Sequence, residues 1–339
     1  MTHVRHILIA AVLTAGGCTT GGYFGAKELI EPEVSPGRAA LRMLGGSDKM
    51  LSNGRIDAHR AVAAEDGTTI DVWVIRAKPG TAAADKPPAQ RETVVLLHPM
   101  VMSKSWFLSL GERLARSGYD VVLPDLRAHG DSGGQYITWG ALERTDIKVV
   151  MDTLSGEGLV GQTVYVVGAS LGGCVAIQYA AIDPRCRGVL AMAPPAGIEA
   201  VAHMLAPLST QEELDSSITQ AGSLGGFAPD EASALRAAAS LTCPLIIVHG
   251  ALDMVVPISQ SREIFDAAKC PKKFITLPWA DHTTVQVGRD SAIAKEIEML
   301  KTMAAEQPAT PAVPSTPAHK PPATPKPTPK PARPAVEDL

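Results

Sequence analysis

The chain has 339 residues, 45% hydrophobic and 19% charged, the balance of a globular chain with a sizeable core. A formal charge of −4, a pI near 6.1 and only 4% aromatics provide neither a basic field nor stacking platforms, which argues against a nucleic-acid partner. Length alone accommodates one large α/β domain with appendages, or two domains.

The first segment reads as an address. His3, Arg5 and His6 precede an apolar run at 7–13, shorter than the roughly 20 residues that span a bilayer. With the small residues behind it, this is the pattern of a signal peptide over 1–17. Thr14-Ala15-Gly16-Gly17-Cys18 resembles the lipobox of bacterial lipoproteins, with Ala15 where that motif carries leucine. The resemblance implies that Cys18 is lipidated and becomes the first residue of an exported protein. Several acyl chains on one cysteine anchor stably, so the membrane is an expected partner and the periplasm-facing cell envelope the expected location. Cleavage near 15–17 and an uncleaved anchor are the alternatives. Residues 18–55 read as a tether and extension, with a helix expected at 38–44.

Strand-like runs at 58–64 and 69–76 flank Glu65-Asp66-Gly67, a turn signal that predicts a hairpin. Ile70, Val72 and Val74 alternate with Asp71 and Trp73, as on a sheet edge with one wetter face. Residues 78–92 are rich in Pro, Ala and Lys and read as a solvent loop. From Thr93 strands and helices alternate, the signature of a parallel sheet. Strands are expected at 93–97, 119–123, 163–167, 188–193, 245–248 and 273–277. Helices are expected at 106–116, 140–154, 171–182, 259–269 and 292–304. Residues 196–241 hold short helical pieces and no strand. After Gln307 the composition turns to Pro, Ala, Thr and Lys, so 307–339 reads as a disordered tail.

Chemistry centres on 164–173, Val-Tyr-Val-Val-Gly-Ala-Ser-Leu-Gly-Gly. An apolar strand, a sharp turn at Ser170 and a helix form the context of a nucleophile elbow, in which Gly168 and Gly172 let strand and helix approach. A serine nucleophile needs a base, and the base an orienting acid. In an open α/β sheet these come from the carboxyl ends of later strands. Asp253 follows the strand at 245–248 and His282 the strand at 273–277. Asp125 is the rival acid, its other reading being to tie down the 127–134 loop. Asp281 points away from its neighbour His282, because adjacent residues do not share a side. His98 and His129 read as hydrogen-bonded loop residues, while His59, His203 and His249 have no chemical context.

The order Ser170, Asp253, His282 is that of the α/β-hydrolases. The chain resembles the lipase/esterase and serine-peptidase-like group of that superfamily, which includes monoacylglycerol lipases. The resemblance spans about 69–304. It is carried by His98-Pro99, by Asp-Leu-Arg-Ala-His-Gly-Asp-Ser-Gly at 125–133, by the elbow at 168–172, by His249 to Asp253 with Val256-Pro257, and by Asp281-His282. It implies an α/β fold over 56–306, with a mostly parallel twisted sheet, helices on both faces and a small helical cap at about 196–241. It implies that Ser170 attacks a carbonyl, His282 takes and returns the proton, and Asp253 holds the ring. The N–H groups of Leu171 and Met100 would form the oxyanion hole. Proline in His98-Pro99, where such enzymes carry His-Gly, stiffens that loop. Met102, Trp106, Met204 and Leu205 could line an acyl pocket or pack the core. The expected activity is carboxylesterase or lipase-like: hydrolysis of a small-molecule ester through an acyl-enzyme, with no metal and no organic cofactor. A thioesterase or peptidase on the same triad, and a non-catalytic envelope lipoprotein scaffold, are the alternatives.

Cys174, Cys186, Cys243 and Cys270 lack Cys-x-x-Cys spacing, so no zinc site is expected. Export permits disulfides. Cys243 and Cys270 precede adjacent parallel strands, about 5 Å apart, which predicts a Cys243–Cys270 bridge, with Cys186–Cys243 as the alternative.

Overall fold

Runs of β-branched residues that are apolar on both sides must be covered on both faces, and the chain supplies a helix after most of them. The computed structural model describes residues 25–32 and 46–306. Its eight strands are β1 (Ala58–Ala63), β2 (Thr69–Ile75), β3 (Glu92–Leu97), β4 (Asp120–Pro124), β5 (Thr163–Ala169), β6 (Cys186–Met192), β7 (Leu245–Gly250) and β8 (Lys272–Leu277). They form one sheet in the order β1-β2-β4-β3-β5-β6-β7-β8. The expected hairpin is the antiparallel β1–β2 pair; β2 and β4 are also antiparallel, and every later pairing is parallel.

Residue parity sorts the core into two layers. Val95, Leu97, Val164, Val166 and Ile247 meet α4 (Glu143–Gly156), α5 (Leu171–Ile182) and α9 (Ile258–Ala267). Val94, Leu96, Val167, Ile246 and Val248 meet α3 (Leu108–Arg116) and α10 (Asp290–Ala305) on the other face. Helix α5 is buried on nearly every side, which its unbroken apolar composition allows. Asp71 and Trp73, expected on a wetter face, are only 7% and 0% exposed, because Phe107, α3 and Lys104 cover that side of β2.

Between β6 and β7 the chain forms α6 (Ile198–Leu205), α7 (Gln211–Gly225) and the short α8 (Ala234–Ala238). A capping box between Thr210 and Glu213 starts α7, and Gly226 in the left-handed region stops it. The excursion is pinched at its base by an antiparallel bridge between Gly197 and Ser233. A Cβ on Gly197, whose φ is +151°, would lie 2.5 Å from the Ala232 carbonyl.

Two further expectations change. Part of the extension before the sheet is core: α1 (Ala26–Ile30) buries Ala26, Leu29 and Ile30, and the Trp139 indole N–H donates to Leu29 O at 2.8 Å. A second unanticipated helix, α2, spans Gly46–Ser52. The Cys243–Cys270 bridge is absent: Cys174, Cys186, Cys243 and Cys270 are all free thiols. Register does bring Cys243 level with Cys270, since Leu245 pairs with Lys272. Yet the Cys243 side chain contacts Cys186, Sγ to Sγ at 3.9 Å, against about 2.05 Å for a bond. The signal peptide, Cys18, the helix expected at 38–44 and the 307–339 tail lie outside the described residues. Among the described residues no helix is long and apolar enough to cross a membrane.

Candidate active site

The carboxyl ends of β3, β5, β7 and β8 lie along one edge of the sheet, and the expected residues sit in the loops that leave them. β5 ends at Ala169, and the chain turns through Ser170 at φ 52°, ψ −118°, a conformation non-glycine residues rarely adopt. The turn holds because strand and helix touch without side chains between them. A Cβ on Gly168 would overlap the Gly172 carbonyl, and one on Gly172 the Leu97 carbonyl. The Ser170 N–H donates to Met192 O at 2.8 Å, tying the corner to β6.

Ser170, Asp253 and His282 come together. His282 Nδ1 lies 2.7 Å from Asp253 Oδ2, and Nε2 lies 3.0 Å from Ser170 Oγ. An ionised carboxylate only accepts, so Nδ1 carries the proton and Nε2 is left to accept from the serine hydroxyl. The Asp253 side chain is fully buried. Its Oδ1 accepts the N–H groups of Val255 and Val256, both at 2.9 Å. Burial pushes this carboxyl up, but hydrogen bonds from His249 and His282 outweigh it and hold Asp253 well below the usual carboxylate range.

Asp125, the rival acid, sits elsewhere. It accepts the backbone N–H of Asp131 at 2.8 Å and pairs with Lys104, and a Cβ on Gly130 would overlap its carboxylate. It fastens the loop after β4. Asp281 turns away from His282 and accepts from the Thr283 and Thr284 N–H groups at 3.0 and 2.8 Å. His98 accepts the Leu126 N–H at 3.0 Å and donates to Pro99 O at 2.8 Å, and His129 donates to Arg127 O at 2.9 Å. Burial of the Cys174 thiol pushes its pKa up to about 12, which makes it a poor nucleophile.

His249 belongs to the site although its sequence context did not reveal it. Its Nε2 is 3.0 Å from the Val256 carbonyl, which can only accept, so Nε2 is protonated and also faces Asp253 Oδ2 at 3.3 Å. Its Nδ1 meets Ser261 Oγ at 2.7 Å. The signal available was the spacing of four between His249 and Asp253 across a glycine-bearing turn. Met102 is buried, and the half-buried Trp106, Met204 and Leu205 pack against the core layers.

Leu171 opens α5, where a backbone N–H has no carbonyl one turn earlier to bond. Met100 lies in the loop after β3, in a turn closed by Met102 N–H to Pro99 O at 3.2 Å. Val101, the third residue of that turn, has φ 60°. A β-branched residue there is strained by about 1–3 kcal/mol. Gly172 packs on the carbonyls of Leu97 and His98, so the elbow and this loop share a backbone contact.

The family model described as Serine aminopeptidase, S33, matches residues 88–218. The uncharacterized protein YfhR of Salmonella typhimurium is 30% identical over 238 residues, covering 67% of this chain and 74% of its own. The chain belongs to the α/β-hydrolase superfamily. Among other α/β-hydrolase relatives, the putative esterase YitV of Bacillus subtilis is 26% identical over 228 residues, covering 62% of this chain and 88% of its own. Two solved structures share the α/β-hydrolase fold. The Pyrococcus furiosus esterase Pf2001 has TM-score 0.56 and 22% identity over 75% of this chain and 95% of its own. Est1E of Butyrivibrio proteoclasticus, solved with ferulic acid bound, has TM-score 0.56 and 18% identity over 73% and 100%. As an α/β-hydrolase the chain is a hydrolase, with the eight-stranded, mostly parallel sheet of that fold.

Proposed function

We propose that this hydrolase is a serine esterase that cleaves a small-molecule carboxylic ester through an acyl-enzyme. The observation that carries the reading is the continuous chain Ser170 Oγ, His282, Asp253, at 3.0 and 2.7 Å. Ser170 Oγ attacks the ester carbonyl as its proton passes to His282 Nε2. Asp253 stabilises the imidazolium, and the tetrahedral oxyanion is received by the N–H groups of Leu171 and Met100. His282 then returns the proton to the departing alkoxide. Water, deprotonated by the same nitrogen, attacks the acyl-enzyme, releases the carboxylic acid and restores the serine. Leu252, Met254 and Trp279, exposed by 57%, 93% and 82%, lie in the loops that hold Asp253 and His282 and favour an ester with an apolar acyl group.

A fluorophosphonate probe is expected to label the wild-type protein covalently, and Ser170→Ala to abolish both labelling and hydrolysis of p-nitrophenyl esters. A folded wild-type protein that takes up no probe would instead support a scaffold. Turnover of a p-nitrophenyl ester series of rising chain length measures the acyl preference.

We further propose, from the pattern at residues 1–18, that the enzyme is an exported lipoprotein anchored through Cys18. Growth with an alkyne-tagged fatty acid should tag the wild-type protein and not Cys18→Ser; an untagged wild type would refute the anchor.

A further inference from the structure

We propose that Lys104 is a positioning residue for ester hydrolysis, an internal cation that bolts the Met100 loop to the rest of the active-site edge. The inference rests on the reading of Ser170 as the nucleophile and of Met100 N–H as an oxyanion donor.

Lys104 ends the loop that leaves β3, and its side chain is fully buried. Its ammonium is 2.8 Å from Asp71 Oδ1 and 3.1 Å from Asp131 Oδ2, pairs closely with Asp125 Oδ2, and lies 5.1 Å from the centre of the Trp73 ring. Its backbone N–H donates to Asp125 Oδ1 at 2.6 Å. The three carboxylates belong to β2 and to the loop after β4, so this one side chain joins three segments. They converge closely enough to ligate a metal ion, but the Lys104 ammonium stands among them and does a cation's work. Burial alone would lower the pKa of this amine; Asp125 and Asp71 more than reverse that, so it stays charged. His59 adds a contact to Asp71 from the solvent side, Nε2 to Oδ2 at 2.7 Å.

The tether matters because of what lies between its ends. At the start of the loop His98 accepts the Leu126 N–H, and at its end Lys104 grips Asp125, so both ends are fastened to the same stretch after β4. Between them Met100 and the strained Val101 form the turn that aims the Met100 N–H. A turn of that conformation persists only where its surroundings over-determine it. Loss of the ammonium leaves only the Lys104 backbone N–H on Asp125 to hold that end, which lets Val101 relax and swings the donor away from the oxyanion while leaving the triad in place.

Lys104→Met keeps the unbranched stem, one atom short of the ammonium position, and removes the charge. It should lower kcat toward a p-nitrophenyl ester by about 100-fold, the lower end of the range for losing one oxyanion donor, with KM within about twofold. Affinity for a trifluoromethyl ketone transition-state analogue should fall by the same factor. Hydrogen exchange of residues 98–104 should speed up while that of α5 does not. In Lys104→Ala, propylammonium should restore part of kcat; it should not in Lys104→Met, whose side chain fills the space. If Lys104→Met fails to fold, Asp131→Asn on the half-exposed partner should give a smaller fall in kcat together with faster exchange at 98–104. Wild-type exchange at 98–104 and wild-type kcat in whichever variant folds would overturn the proposal. A wild-type protein inert to fluorophosphonate, in which removal of the Lys104 charge still loosens 98–104, would remove the nucleophile reading and keep the lysine's hold on the loop.

Discussion

Asp253→Asn should lower kcat by about four orders of magnitude while the protein stays folded, as loss of the acid in a serine triad does. The reason lies in what converges on this side chain. Its two oxygens accept from His282 Nδ1, His249 Nε2 and the backbone N–H groups of Val255 and Val256. An asparagine amide must turn its NH₂ toward one pair of these donors. Facing the histidines, it makes His282 Nδ1 an acceptor and moves the ring proton to Nε2, where it points at Ser170 and removes the base. Facing the backbone, it sets donor against donor in a buried site, at a cost of about 1–3 kcal/mol. Steady-state kinetics and a thermal melt separate these outcomes; activity within tenfold of wild type would mean that Asp253 is not the orienting acid. A pH effect accompanies the change. The folded-state pKa of Asp253 lies below its ordinary value of 3.8, so its contribution to stability is present above about pH 4 and lost on acidification through the folded pKa. Stability measured from pH 6 down to 2 should fall less steeply in Asp253→Asn than in wild type.

Gly172→Ala should be among the most damaging single methyl additions at the site. The added Cβ would overlap Leu97 O and lie 2.7 Å from His98 O, and both are backbone atoms that no rotamer change can move. Either α5 shifts, carrying Ser170 and Leu171, or the Met100 loop does. Overpacking of this kind costs about 3 kcal/mol, a fall in melting temperature on the order of 10 °C for a domain of this size. Fluorophosphonate labelling should slow by at least about 100-fold. A variant with wild-type melting and labelling rate would show that the elbow has more room than its backbone contacts indicate.

The elbow, Asp253 and His282 were legible because chemistry constrains them locally: small residues beside a strained serine, and an acid and a base just beyond the ends of later strands. Asp253 and Asp125 each follow a strand; chain order favoured Asp253, and the tertiary placement agrees, since Lys104 occupies Asp125 and His282 reaches Asp253. Lys104 and His249 stayed hidden for a related reason. Their partners are 21 to 33 residues away and on the far side of a turn, respectively, and a charged or imidazole side chain in a loop reads as solvated until the fold buries it. Helix starts shifted where side chains intervene. α4 begins at Glu143 and not Gly140, because the Glu143 carboxylate accepts the N–H groups of Thr138 and Gly140 at 2.7 and 2.8 Å. α3 begins at Leu108 because residues 104–107 form a tighter 3-10 turn. The Thr210-x-x-Glu213 box that opens α7 was readable and would have resolved the short helical pieces of the insertion.

The bridge between Gly197 and Ser233 gives that insertion a narrow neck. Although the chain departs and rejoins at one point, the stretch beyond the neck is not separate from the core: Val201, Ala202, Leu214, Ile218 and Ala221 are buried in the same layer as α5, and α7 packs on α1. The outward faces of α6 and α7 can therefore be remodelled at little mechanical cost, whereas trimming the stretch beyond the neck would strip cover from α1 and the layer beneath it.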